Sequence, residues 1–176
     1  MDTAARRILD AILGRRSIRV YAPGPIGEDT VRRLLEAAMA APSAVARDPW
    51  RFVVVRDRPT LQRMAEALPN GQMIGDAELG IAVCGDLEAA HDRQLSYLLQ
   101  DCSAAIENLL LAAHALGLGA CWLGVHPRED RIRKLSELLR LPPHVLPVSC
   151  IALGHPGEQK EARTRYREEF VHRDRW

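Results

Sequence analysis

The sequence predicts an α+β fold in which helices dominate around a small sheet. Three observations carry this reading. Several segments repeat apolar residues at spacings of three and four, the mark of a helix buried on one face. Between them stand short β-branched or apolar runs bounded by turn residues, which read as strands. Apolar residues make up 47% of the 176-residue chain, enough for a real core, and the length points to a single domain over 1–176.

Residues 2–14 place Ile8, Leu9, Ile12 and Leu13 on one helical face, and Gly14 stops that helix before Arg15-Arg16-Ser17-Ile18-Arg19. A turn region with Pro23, Gly24, Pro25 and Gly27 leads to a helix over 28–40, where Val31, Leu34, Leu35 and Ala38 share a face and Pro42 ends the pattern. Trp50–Val55 reads as a strand, 59–68 as a helix closed by the Pro69-Asn70-Gly71 turn, and Leu79–Cys84 as a second, buried strand. The longest helix spans 92–116, with Leu95, Leu98, Leu99, Cys102, Ile106, Leu109, Leu110 and Ala113 in period, and it ends at Gly117. Ala120–Leu123 is a third strand, 127–140 a helix opened by Pro127, and Leu146–Leu153 a fourth strand closed by Gly154. The last 22 residues lack an apolar period and are expected to run over the surface or a partner.

Lys and Arg number 24 against 23 Asp and Glu, so the net charge of +1 supplies no field for nucleic acid or an anionic membrane. Aromatic residues, at 5%, are too few for base-stacking platforms. Only Lys134 and Lys160 are lysines, so nearly every cation is an arginine, the side chain suited to bidentate phosphate and carboxylate recognition. The N-terminus has neither a seven-residue apolar core nor a small-residue cleavage site, and a cytoplasmic protein is expected. Leu109–Val125 is apolar but broken by glycines, which suits a buried helix running into a buried strand better than a membrane span.

Cys84, Cys102, Cys121 and Cys150 are widely spaced without a C-x-x-C and read as buried, reduced thiols. The six histidines show no ligand spacing, so no metal site is expected. Gly117-Leu118-Gly119 follows a helix and precedes a strand, the reverse of a dinucleotide fingerprint. Arg15-Arg16-Ser17-Ile18-Arg19 offers cationic donors and a hydroxyl just after a helix end, as a phosphomonoester requires, although a solvated basic connector would look the same. The tail cluster Arg163-Thr164-Arg165-Tyr166-Arg167 reads in the same two ways. Pro42-Ser43-Ala44 closes a helix with small residues, and Trp122-Leu123-Gly124 ends a strand where glycine admits close backbone approach.

Taken in order, these pieces resemble the FMN-dependent nitroreductase family. The resemblance runs through Arg15–Arg19, Ala41-Pro42-Ser43 with Pro49-Trp50-Arg51-Phe52, and Cys84-Gly85-Asp86. It is densest from Gln100 through Glu107-Asn108-Leu109-Leu110 to Gly117-Leu118-Gly119-Ala120-Cys121-Trp122-Leu123-Gly124, and ends with Leu153-Gly154-His155-Pro156, Val171-His172 and Trp176. It implies a nitroreductase-like fold with a small, mostly antiparallel sheet and a C-terminal tail exchanged in a homodimer that holds FMN at its interface.

On that resemblance Arg15, Arg16 and Ser17 hold the FMN phosphate with help from Arg165, and Arg19 lies near the ribityl chain and pyrimidine edge. Pro42, Ser43 and Ala44 approach from the other subunit, while the strand end Trp122-Leu123-Gly124 brings the backbone of Leu123 and Gly124 to flavin N5. The implied activity is ping-pong hydride transfer from NADH or NADPH, through N5, to a small nitroaromatic or quinone-like electrophile, with no catalytic side chain. The alternatives are a flavin-binding sensor or storage protein without turnover, and a specialised flavin dehydrogenase or dehalogenase. Ala46 and Asp48 stand where the family commonly has Asn and Gln. A carboxylate at the pyrimidine edge would make reduction of the flavin harder, unless Arg19 or Arg47 pairs with it or it turns outward as a loop carboxylate.

Overall fold

In chain order the elements are α1 (Thr3–Gly14), β1 (Tyr21–Ala22), α2 (Glu28–Met39), β2 (Trp50–Val55), α3 (Arg58–Ala67), β3 (Leu79–Asp86), α4 (Leu95–Ala115), β4 (Gly119–Gly124), α5 (Glu129–Leu139) and β5 (Val145–Pro156). They are seen in a computed structural model that describes residues 3–176. β5 is the centre of the sheet. On one side it pairs with β3, which pairs in turn with β2. On the other it meets β4 along Ser149–Gly154 and then β1 at His155–Pro156, and all these pairs are antiparallel.

Both faces of this sheet are covered, which is why β3 and β5 read as nearly continuous apolar runs instead of alternating ones. Leu79, Ile81, Val83, Ile151 and Leu153 pack with α2 and α4, while Ala82, Cys84, Cys121, Cys150 and Ala152 pack with α3 and α5 on the opposite face. The four cysteines are free and buried. Burial pushes the Cys84 and Cys102 thiols up to about 12 and raises Cys121 and Cys150 as well, so all four stay protonated and unreactive near neutral pH.

α4 ends as the sequence predicts. Gly117 takes φ 74°, its N–H donates to His114 O, and the Leu118 N–H donates to Ala113 O, the paired bonds of a Schellman stop. Three of the boundaries that differ from expectation have a visible cause. β5 runs through Gly154 to Pro156 because Tyr21–Ala22 continues its edge, a two-residue strand too short to show a period. The Tyr21 ring also occupies the space a side chain at 154 would need. α5 starts at Glu129 behind an Arg128 cap, so Pro127 lies ahead of the helix. The long helix starts at Leu95, because Asp92 at φ 50° and the extended Gln94 break the chain after a 3-10 turn at His91–Arg93.

The tail is exposed from Gln159 onward, as expected. Its first part lies along the basic segment. Glu158 Oε1 accepts the Arg19 N–H at 2.6 Å and meets Lys160 Nζ at 2.9 Å, and Lys160 Nζ donates to Ser17 O at 2.7 Å. The Arg19 N–H first, and Lys160 with it, hold the Glu158 carboxyl below the usual range.

Two outcomes follow from this packing. A methyl at Gly85 would stand 2.3 Å from Leu98 Cδ2. Gly85→Ala should therefore cost about 1–3 kcal/mol of overpacking, seen as a lower urea midpoint at unchanged slope. The Glu158 contact, with its carboxyl lowered in the folded state, contributes fully above the ordinary carboxylate pKa and is lost as pH falls through the lowered value. Amide exchange at Arg19, measured by NMR against pH, should show protection that disappears in that acid window, and Glu158→Gln should abolish the pH dependence.

Candidate functional site

The site is built on the outer edge of β4. Ser17 bridges Ala120 in parallel, and the Ile18 N–H donates to Ala120 O at 3.0 Å. Residues of a strand point their backbone groups alternately to the two edges, so Trp122 and Gly124 present N–H and C=O on the same outer edge as Ala120. Two contacts agree with this. The Gly124 carbonyl accepts from Arg131 Nη1 at 2.7 Å on the outside, whereas the Leu123 carbonyl faces β5 and accepts from the buried Ser149 Oγ at 3.1 Å. Of the two strand-end residues singled out from the sequence, Gly124 thus offers its N–H to a ligand, and Leu123 offers its side chain. A Cβ at Gly124 would meet nothing within 4 Å, so the sheet face over this residue is open.

Beyond the bridge the chain parts from β4 and leaves a cleft of about 270 Å³. Arg19, Asn70, Trp122, Leu123, Gly124 and Arg131 line it. Arg19, Trp122, Leu123 and Gly124 were expected together, whereas Arg131 was not. Asn70 sits in the predicted Pro-Asn-Gly turn, which the sequence marks as a turn but does not connect to β4. Gly71 beside it packs so near Leu68 and Leu123 that a Cβ would stand 2.9 Å and 3.1 Å from their side chains.

The basic segment divides in its use. Arg15 Nε lies 3.1 Å from Glu107 Oε1, yet this buried nitrogen makes no hydrogen bond of good geometry. Arg16 is engaged: its Nε donates to Glu161 O at 2.9 Å, and its Nη2 donates to Arg163 O at 2.8 Å and to Leu13 O. Arg165 lies farther along the exposed tail, in a curl with Arg163, Tyr166, Arg167 and Phe170, and does not line the β4 cleft.

Pro42, Ser43 and Ala44 do not line this cleft either. They begin a loop against α4, where Ala44 N–H donates to Asp101 Oδ1 at 2.9 Å. Asp48 turns back on the same loop. Its Oδ1 accepts the Ser43 hydroxyl at 2.5 Å, and the Ser43 oxygen accepts the Asp48 N–H at 2.9 Å. Neither Arg19 nor Arg47 is its partner; within this chain Asp48 is an exposed carboxylate paired with Ser43.

Among the described residues, no three or more His, Cys, Asp or Glu side chains gather as a metal would need, and no helix is long and apolar enough to cross a membrane.

The site can be set beside known proteins. A protein of Archaeoglobus fulgidus provisionally named NADH dehydrogenase/NAD(P)H nitroreductase is 45% identical over 171 residues, covering 96% of this chain and 98% of its own. A crystal structure from Parabacteroides distasonis under the same provisional name superposes with a TM-score of 0.91 at 39% identity, over 97% of this chain and 99% of that one. A provisionally named nitroreductase of Desulfovibrio desulfuricans, solved in complex with FMN, superposes with a TM-score of 0.83 at 35% identity, over 96% and 97% of the two chains. The model of the nitroreductase family matches residues 12–86 and 62–155. By that match and these relatives, the chain belongs to the nitroreductase family.

Proposed function

We propose that the protein is an FMN-dependent oxidoreductase that passes hydride from NADH or NADPH to a small electrophile, nitroaromatic or quinone-like. The observation that carries this reading is the bridge of Ser17 to Ala120, which places phosphate-type donors and an open strand edge on one continuous surface. The residues suit a phosphorylated flavin. Arg15 Nε is a buried donor without a hydrogen bond, Ser17 adds a hydroxyl, and the cleft beyond joins a cation, an amide and a free backbone edge. When bound, FMN supplies the hydride chemistry at N5.

The chain's own residues then bind and orient. Arg15 and Ser17 hold the phosphate by charge-assisted hydrogen bonds, while Arg16 fastens the tail. Arg19 sets a positive charge at the pyrimidine edge, where it favours an anionic reduced ring. Asn70 has both the donor and the acceptor that a pyrimidine edge calls for. The Gly124 N–H faces N5, and Trp122 and Leu123 wall off water.

Two copies complete the site in this reading. Pro42, Ser43 and Ala44 stand away from their own cleft, so they serve a partner's, and Arg165 reaches its phosphate site through the tail. Two further observations support a homodimer. α1 buries none of its residues and exposes Ile8, Leu9, Ile12 and Leu13. A groove of about 400 Å³ between it and α2 and α4 is lined by Ile8, Ile12, Ala37, Leu111 and Ala112, among others. The tail leaves Phe170 exposed and Trp176 fully so.

The test is direct. The purified protein should be yellow with FMN and should bleach with NADH or NADPH under anaerobic conditions, then recover its colour on addition of a quinone or nitroaromatic. A coloured protein that neither cofactor bleaches would instead be the flavin carrier without turnover. Arg15→Ala and Ser17→Ala should weaken FMN more than riboflavin, Arg15→Ala by about 1.5–3 kcal/mol, since only FMN carries the phosphate. Titration calorimetry with both ligands checks this, and equal losses would move the phosphate elsewhere.

A further inference from the structure

α4 carries a buried acid that the proposed chemistry does not use. Asp101 is only 5% exposed. Its Oδ1 accepts the Ala44 N–H at 2.9 Å, and its Oδ2 is buried with no partner among the described residues. A carboxylate with an unmatched oxygen is a poor filler for a core, because burying that oxygen costs stability. What it does supply is a strong acceptor at one place in the loop.

That loop needs one. Val45 and Ala46 both take φ 53° and Asp48 takes φ 49°, the left-handed region that side chains avoid, most of all a β-branched one such as Val45. The loop is closed on itself by the Ser43–Asp48 pair, by Ala46 N–H to Ser43 O at 3.1 Å, and by Arg47 N–H to Ala44 O at 3.2 Å. These bonds shape the loop but do not fix it to the body of the protein. Arg51 of β2 holds its far end, donating from Nη1 to Asp48 O at 3.2 Å, and Asp101 holds its near end from the second turn of the longest helix.

We infer that Asp101 is a positioning residue whose buried carboxylate holds the strained 43–48 loop, through the Ala44 N–H, in the orientation that meets the flavin of a second copy. This deepens the function proposed above and rests on it only in supposing that the loop meets a flavin. The tether orders the loop before the ligand arrives, so the binding step does not bear the cost of ordering it.

Three variants test the inference. Asp101→Asn keeps an oxygen for the Ala44 N–H, and Asp101→Leu removes it. Ala44→Pro removes the donor instead. It fits the backbone, since Ser43 is already extended at φ −133° and ψ 159° and Ala44 opens a 3-10 turn. Two readouts are used: FMN affinity by fluorescence quenching, and amide exchange across 43–48 in the apo protein.

Asp101→Asn should bind FMN within about threefold of the wild type, whereas Asp101→Leu and Ala44→Pro should each lose about tenfold, equally for FMN and riboflavin. The double variant, which combines Asp101→Leu with Ala44→Pro, should lose no more than either alone, because the two substitutions cut the same bond. Exchange at 45–48 should quicken in both of those single variants and not in Asp101→Asn. The inference is overturned if Asp101→Leu keeps wild-type exchange, if Asp101→Asn behaves like Asp101→Leu, or if the two losses add. A wild-type protein that takes up no FMN overturns the proposed function alone, since the exchange measurements still read the tether.

Discussion

The hydrogen bond from the Ile18 N–H to the Ala120 carbonyl is the contact on which the site depends. A full strand at this edge of β4 would have used every outer N–H and C=O and left no cleft. A single bridge followed by divergence gives a different surface, in which the basic segment is pinned at Ser17 and Ile18 while the outer backbone groups of Trp122 and the Gly124 N–H are left to the cleft. The pin is tight. Ile18 is buried, and a Cβ at Gly119 would stand 2.7 Å from its Cγ2, so the two chains approach only because residue 119 has no side chain. β4 is rigid because β5 holds its other edge along its whole length. The precision of the site thus derives from the centre of the sheet and reaches the basic segment through one contact.

What the sequence made legible follows from what local physics can encode. β2 was readable at Trp50–Val55 because a run of β-branched residues between turns has few other solutions, and the α4 stop was readable because Gly117 must supply a positive φ. β1 was not readable, since two residues carry no period and their pairing with β5 spans more than 130 positions. The same limit applies to the site. Arg19 and Gly124 belong to patterns that can be recognised along the chain, whereas Asn70 and Arg131 join the cleft only after the Pro-Asn-Gly turn and α5 have packed beside β4. Asp101 reads as one more polar position in a helix until the fold places Ala44 against it.

The amphipathic face of α1 was legible, but its burial was not what such a face ordinarily predicts. In a monomer an apolar stripe of this kind covers the core, yet here the core is already complete between the sheet, α2 and α4, and Ile8 remains 63% exposed. The stripe is therefore surplus to this protomer. The tail is surplus too: it leaves Phe170, Val171 and Trp176 in solvent after its first residues have been fastened to Ser17, Arg16 and Arg19. Two exposed apolar surfaces on one chain, the α1 stripe and the end of the tail, are what the proposal of a homodimer rests on.

The charge pattern around the basic segment separates two adjacent arginines that sequence alone treats as equivalent. Arg16 has its Nε and Nη2 committed to main-chain carbonyls on two sides, and a phosphate could take it only by releasing the tail. Arg15 is opposed by Glu107, whose side chain is 46% exposed, across 3.1 Å and without an aligned hydrogen bond. A pair so open to water contributes about 0–1 kcal/mol. The Glu107 contact is therefore a weak hold on Arg15. The difference between the two guanidinium groups lies in what already holds each: Arg15 meets only Glu107, and Arg16 is committed to the tail strap.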